Sequence, residues 1–186
     1  MRASAYHLKP SEVKKLIIQA NSFRDRCLLK SLFWLGLRRK ELCSLDVRDI
    51  DFDRKRLKVR GKGDKVRIIP IIEDEVLSDL KHLIGPRKEG SVFLSNQGKP
   101  VSIRLVNYIV EKIGEASNIE NPHPGRKHLN PHIFRHSIAR FLKSKGFSAE
   151  WIQNFLGHES YKTTMDMYGT ISIDEMQEVA QRKLEA

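Results

Sequence analysis

The spacing of hydrophobic residues changes twice along this chain, and this change constrains the fold more than any other sequence feature. Val13, Leu16 and Ile17 recur at helical spacing, and a strongly apolar segment at 24–35 follows them. Residues 50–68 instead alternate apolar and polar side chains around a glycine-punctuated turn at 61–64. Helical spacing returns from Val76 onward. The pattern predicts an α+β fold that is mainly helical, with a small three-stranded antiparallel sheet.

Residues with strong positional preferences indicate where the helices begin and end. Pro10 suits a first helical turn, and Ser102, Asn130 and Ser148 suit N-cap positions. Glycines at 36, 146 and 157 suit helix ends. We further expect a short helix over 41–45, a helix over 76–83, an extended piece at 92–94, and helices over 160–168 and from 172.

The charge and the cysteine content restrict the classes of partner and site. Lysine and arginine number 34 against 23 acidic residues, a net charge of +11 that favours a polyanion such as nucleic acid. No apolar run reaches 18 residues, so we expect no membrane span. Cys27 and Cys43 lie in apolar stretches and lack a CxxC pairing, which predicts reduced core residues rather than a zinc site.

Six polar residues form a set that suits metal-free phosphodiester transfer. Each of them alone has an ordinary structural explanation, such as a surface ion pair or a half-buried aromatic. Together they supply guanidinium groups for phosphate oxygens, a hydroxyl that can attack phosphorus, and an ammonium that can protonate a leaving oxygen. The candidate catalytic residues are Arg38, Lys62, His132, Arg135, His158 and Tyr168.

Five segments carrying these residues resemble the catalytic domain of the tyrosine recombinases, the phage-integrase and Xer-like family. They are GLRRKEL at 36–42, GKGDKVRIIP at 61–70, HIFRH at 132–136, LGH at 156–158 and TTMDMY at 163–168. They occur in the family's order and with ordinary spacing. The resemblance implies the family's fold and strand cleavage through a 3′-phosphotyrosyl intermediate with a free 5′-hydroxyl, without metal, cofactor or ATP. It implies that Arg38 and Arg135 bind the phosphate and that Lys62 is the general acid. His132 would bind the phosphate and act as the base, His158 would stabilise the transition state, and Tyr168 would be the nucleophile.

The resemblance extends over residues 1–186 and implies one catalytic domain. Family members usually carry an N-terminal helical DNA-binding domain, which we expect to be absent from this chain. The implied partner is double-stranded DNA, bound by a homo-oligomer that is a tetramer on paired recombination sites, in the cytoplasm on the chromosome. The segment 172–186 is expected to form a helix that packs either on its own core or on a neighbouring subunit.

Three other functions share part of this residue set. A type IB topoisomerase uses the same chemistry, although the lysine-bearing hairpin and the short chain look more like a recombinase. A DNA-binding module with a degenerate site would not need the complete set. A metal-dependent nuclease could use His128, His132 and His136, but Pro131 places His128 outside the helix, and we expect no carboxylate cluster beside them.

Overall fold

The structure, a computed structural model, describes residues 6–61 and 65–157. Within these ranges the chain forms seven α-helices, one 3₁₀ helix at Val47–Asp49 and three β-strands. The helices are α1 Pro10–Gln19, α2 Phe23–Trp34, α3 Arg39–Cys43, α4 Asp74–Ile84, α5 Ile103–Ala116, α6 Pro131–Ser144 and α7 Ala149–Leu156. The strands are β1 Ile50–Asp51, β2 Arg56–Arg60 and β3 Val66–Pro70.

Helix α2 runs through the centre of the core. Every residue from Cys27 to Phe33 is buried, because α1, α3, α4 and α6 all pack around this helix. Lys30 is the charged member of this run. Its ammonium lies 2.6 Å from Glu75 Oε1 and 2.6 Å from Asp79 Oδ2 of α4, so the buried charge is paired.

The sheet is antiparallel, in the order β1–β2–β3, and covers one side of the helical core. Leu57 and Ile69 face each other across β2 and β3, and both are fully buried. The opposite face of β2 carries Arg56, Lys58 and Arg60 into solvent. Helix α7 packs against β3, so the sheet lies close to the end of this helix.

Local capping bonds place α6 and α7 where the sequence predicted them. The Asn130 side chain accepts a hydrogen bond from the His132 backbone N–H, and Pro131 begins α6. Ser148 Oγ accepts from the Trp151 N–H at the start of α7. Gly157 ends α7 with φ +65, the left-handed conformation that glycine adopts without strain.

The predicted α+β fold with a three-stranded antiparallel sheet is confirmed, and one predicted helix is corrected. Helix α3 ends at Cys43, so Leu45 is buried outside it rather than within a helix over 41–45. The piece predicted as extended at 92–94 makes one β-bridge, between Leu94 and Pro100. The helices predicted over 160–168 and 172–186 lie outside the described residues.

Both cysteines are free thiols, as predicted. Cys27 is buried and Cys43 is half-buried. Burial raises the pKa of the Cys27 thiol to about 12, so this sulfur stays protonated at neutral pH. Among the helices of the described ranges, none is both long and apolar enough to cross a membrane.

Candidate active site

Three of the six predicted catalytic residues lie in the described part of the chain. Arg38 directly precedes α3, and His132 and Arg135 lie on the first turns of α6. The structure brings Arg38 and Arg135 to the end of α7. Lys62, His158 and Tyr168 fall outside the described residues, so their roles stay predictions.

The side chain of Arg38 is held by one carboxylate and one backbone carbonyl. Its Nη1 lies 2.8 Å from Glu41 Oε1, and its Nη2 donates to the Gly157 carbonyl over 3.0 Å. The Arg38 backbone N–H also donates to Glu41 Oε2, at 2.8 Å. Because 37% of the side chain is exposed, the guanidinium is fixed in place but open to an incoming group.

The Glu41 carboxylate is shared between two arginines. Arg67 of β3 forms a two-pronged ion pair with it, Nη1 to Oε1 at 2.8 Å and Nη2 to Oε2 at 3.0 Å. With the two bonds from Arg38, each carboxylate oxygen accepts two hydrogen bonds. Burial by itself would raise the Glu41 pKa, but the bonds from Arg67 and Arg38 lower it overall, so Glu41 is a carboxylate at neutral pH.

Arg135 is buried and binds backbone carbonyls. Its Nη1 donates to the Gly36 carbonyl at 2.5 Å, and its Nη2 donates to the Leu156 carbonyl. These bonds use two of the five N–H groups of a guanidinium. Burial, together with the charge of Arg38, lowers the Arg135 pKa to about 9, so the side chain still carries its charge at neutral pH.

Two short backbone segments therefore hold both arginines side by side. Arg135 binds the carbonyls of Gly36 and Leu156, and Arg38 follows Gly36 by two residues and binds the carbonyl of Gly157. Glu41 offsets one of the positive charges of Arg38, Arg67 and Arg135. An excess of positive charge remains, which suits an anion such as a phosphate diester.

His132 lies three residues before Arg135, on the same face of α6. Its side chain is exposed, yet nearby atoms take part of the ring out of water. This desolvation, followed by the charges of Arg39 and Arg135, lowers the His132 pKa below its ordinary value of 6.5. The imidazole is therefore neutral at pH 7 and has one nitrogen available to accept a hydrogen bond or a proton.

Sequence reasoning assigned no role to Glu41 or Arg67, although both lie within the quoted segments. Glu41 follows Arg38 by three residues, the spacing of a helical first turn, and this spacing could have indicated the contact. For Arg67 local spacing gives no such signal, because its partners Glu41 and Phe155 come from distant parts of the chain.

One group of potential metal ligands occurs in the described ranges, and it corrects an expectation about His128. Glu111 and Glu115 of α5 place carboxylate oxygens 3.6 Å and 3.4 Å from His128 Nδ1, so this histidine does have carboxylates beside it. The three side chains are 41–45% exposed, and Glu115 also pairs with Lys112 at 2.8 Å. The group does not include His132 or His136, which the nuclease alternative requires.

Sequence comparison agrees with the predicted family. XerA tyrosine recombinase of Pyrococcus horikoshii is 32% identical over 181 residues, covering 94% of this chain and 60% of XerA. XerC of Corynebacterium glutamicum is 34% identical over 146 residues, covering 76% of this chain and 45% of XerC. The chain therefore spans about half to three-fifths of the length of these two relatives.

Structure comparison and a family model lead to the same assignment. The crystal structure of XerA recombinase superimposes with a TM-score of 0.79 at 27% identity, covering 95% of this chain and 64% of XerA. XerH, a site-specific recombinase bound to its difH substrate, gives 0.75 at 25% identity, covering 94% and 53%. The model of the phage integrase family matches residues 7–172. The chain therefore belongs to the phage integrase family, the tyrosine recombinases that its five sequence segments resemble.

Proposed function

We propose that this chain cleaves and rejoins DNA strands as the catalytic part of a site-specific recombinase. The proposal rests on one observation: Arg38 and Arg135 are held next to each other by the backbone carbonyls of residues 36, 156 and 157. Two fixed guanidiniums at one place supply the charge that a phosphodiester transition state needs. The named relatives are recombinases, and no observation on this chain favours the topoisomerase or the non-catalytic alternative.

The proposed reaction needs an attacking hydroxyl, a base and an acid. The Tyr168 oxygen attacks phosphorus and passes its proton to the neutral imidazole of His132. The bond from phosphorus to the 5′-oxygen breaks, and Lys62 protonates this oxygen as it leaves. His158 stabilises the charge of the transition state. The phosphotyrosyl bond retains the energy of the phosphodiester, so rejoining to another strand requires no ATP.

The proposed partner is duplex DNA, and the similar structure of XerH is of that recombinase bound to its difH substrate. Recombination exchanges four strands at two sites, so we propose that the protein acts as a tetramer on paired sites. We place its action on the chromosome, in the cytoplasm.

The nucleophile can be tested by trapping the covalent intermediate. The probe is a pool of labelled duplexes of randomised sequence, each nicked near its centre so that a cleaved strand cannot be rejoined. We expect the unmodified chain to form a labelled protein–DNA adduct that survives denaturing electrophoresis. Tyr168→Phe should form none while still binding DNA, because only the attacking oxygen is lost.

Tyr161→Phe is the matched control, since Tyr161 lies seven positions before Tyr168 and outside the TTMDMY segment. It should form the adduct normally. If the adduct persists in Tyr168→Phe and disappears in Tyr161→Phe, the assigned nucleophile is wrong. Sequencing the trapped DNA would also identify the site that the protein recognises.

Chelation separates this reaction from a metal-dependent nuclease. We expect adduct formation to continue in excess EDTA, because the two arginines supply the electrostatic stabilisation that a metal ion supplies in such nucleases. Glu111→Gln serves as a control for the exposed Glu111–Glu115–His128 group and should not change the rate. Loss of the adduct in EDTA, with recovery on adding one divalent ion, would contradict the proposal.

A further inference from the structure

Arg67 occupies a position in the sheet where an apolar residue is expected. It pairs with Val59 across β2 and β3, on the buried face, and its side chain is only 14% exposed. Its neighbours Val66 and Ile68 face outward, with 50% and 67% of their surface exposed. A charged residue is seldom placed inward beside exposed apolar neighbours unless its contacts are needed.

Those contacts join Arg67 to the residue that holds Arg38. The two-pronged ion pair with Glu41 fills one lone pair on each carboxylate oxygen, and Arg38 fills the others. Without Arg67, the full negative charge of Glu41 would act on Arg38 alone. Arg67 therefore leaves more of the positive charge of Arg38 available to a phosphate.

Arg67 also supports the end of α7. Its Nε donates to the Phe155 carbonyl over 3.2 Å. A Cβ added to Gly157 would lie 2.7 Å from Arg67 Cδ, so the two residues are in close contact. The carbonyl of Gly157 is the group to which Arg38 Nη2 donates.

One side chain thus contacts both anchors of Arg38, the Glu41 carboxylate and the end of α7. We propose that Arg67 is a positioning residue that aligns Arg38 in the Arg38–Arg135 phosphate site. Loss of the Arg67 side chain removes two hydrogen bonds from Glu41 and one from the Phe155 carbonyl, so Arg38 loses its alignment. This inference rests on the proposed function.

The test compares two arginines of the same hairpin. Arg60 of β2 pairs with the buried carboxylate of Asp49, Nη2 to Oδ1 at 3.0 Å, and so anchors the hairpin without using Glu41. The variants are Arg67→Gln, Arg67→Lys and the control Arg60→Gln, each in the full chain. The measurements are the rate of adduct formation at saturating nicked DNA, the affinity for the same DNA, and the melting temperature.

We expect Arg67→Gln to slow adduct formation by roughly 10²-fold, the effect of misplacing a catalytic group by about 1 Å. DNA affinity should stay close to that of the parent, because the Arg67 side chain is only 14% exposed and its hydrogen bonds go to Glu41 and Phe155. Arg67→Lys keeps the charge but not the two-pronged geometry, so it should recover part of the lost rate. It is also the variant to use if Arg67→Gln does not fold.

Three outcomes would overturn the inference. Parental rates in both Arg67 variants would show that Arg38 needs no support from β3. Equal slowing in Arg60→Gln would show a general anchoring of the hairpin rather than a coupling through Glu41. Absence of the adduct in the unmodified chain would instead overturn the proposed function, and the inference with it.

Discussion

Glu41 is the carboxylate that joins Arg38 and Arg67 in the described part of the site. It is a buried carboxylate whose oxygens all accept hydrogen bonds from Arg38 or Arg67. Its pKa is lower in the folded chain than the ordinary value of 4.5. The ion pairs therefore stabilise the fold above pH 4.5, and this stabilisation is lost as the pH falls through the lower folded-state pKa.

Replacing Glu41 should destabilise the protein strongly at neutral pH. Glu41→Gln leaves two guanidiniums without their counter-charge, which typically costs about 3–5 kcal/mol when a buried pair loses one partner. Urea unfolding at pH 7 measures the change in the free energy of unfolding. The variant should also lose less stability than the parent between pH 4.5 and lower pH.

Glu75→Gln is the matched control for this prediction. Glu75 also pairs with a buried cation, the ammonium of Lys30. However, 67% of the Glu75 side chain is exposed, and Asp79 would remain as a partner of Lys30. Its loss should cost less than about 1 kcal/mol, as for other exposed ion pairs. A similar loss in both variants would mean that the burial of Glu41 adds nothing.

At the scale of elements, the junction before α3 is held against the end of α7. Gly36 has φ +57, and a Cβ on it would lie 2.5 Å from Leu156 Cδ2. Its carbonyl accepts the hydrogen bond from Arg135. A side chain at position 36 would clash with the Leu156 side chain, so that side chain or the end of α7, which carries the carbonyls of Leu156 and Gly157, must shift.

Gly36→Ala should therefore combine backbone strain with overpacking. The control is Gly146→Ala, since Gly146 has φ +84 but no atom within 4 Å of an added Cβ. Strain at positive φ costs about 1–2 kcal/mol in either variant, and overpacking adds about 1–3 kcal/mol at Gly36 alone. Urea unfolding should show the difference, and adduct formation should fall only in Gly36→Ala. Equal effects in the two variants would show that the contact between position 36 and Leu156 adds no cost.

The elements that the sequence predicted well are those that depend on neighbouring residues. Ser102, Asn130 and Ser148 accept hydrogen bonds from backbone groups within three positions, so local chemistry fixes these helix starts. Arg67 shows the opposite case. Alternation alone would place Val66 and Ile68 on the core face, but the structure reverses them because Arg67 pairs with Glu41.

The candidate site was predictable for a different reason. Arg38 and Arg135 are 97 positions apart in the sequence, and no local pattern brings them together. Resemblance to the family identified them, and the structure adds the carbonyls of Gly36, Leu156 and Gly157 that hold them. Backbone acceptors carry no side-chain signature, so sequence reasoning could not have found them.

At the scale of the whole molecule, the net charge of +11 predicts how the chain binds DNA. Contacts to phosphates carry no base information, and each one adds a slope of roughly −0.9 to the dependence of log affinity on log salt. We expect affinity to fall by more than about tenfold between 50 and 200 mM salt. Selectivity for the trapped site over random duplexes should stay below about 10³-fold.

A competition titration over this range of salt measures both quantities. The trapped duplex and a shuffled duplex of equal composition serve as the matched pair. A flat salt dependence would show that phosphate contacts contribute little. Selectivity above the stated ratio would show that these 186 residues read the DNA sequence by themselves.

The long separation between the partners in the site also determines when it can form during synthesis. Arg135 binds a carbonyl 99 positions earlier, and Arg38 binds one 119 positions later. Because the ribosome releases the chain from its N-terminus, α1 to α6 can pack before residues 156 and 157 emerge. A nascent chain therefore presents Arg38 and Arg135 before their carbonyl partners at 156 and 157 exist. We expect an interrupted translation product that ends before residue 156 to bind DNA through its basic side chains without cutting it.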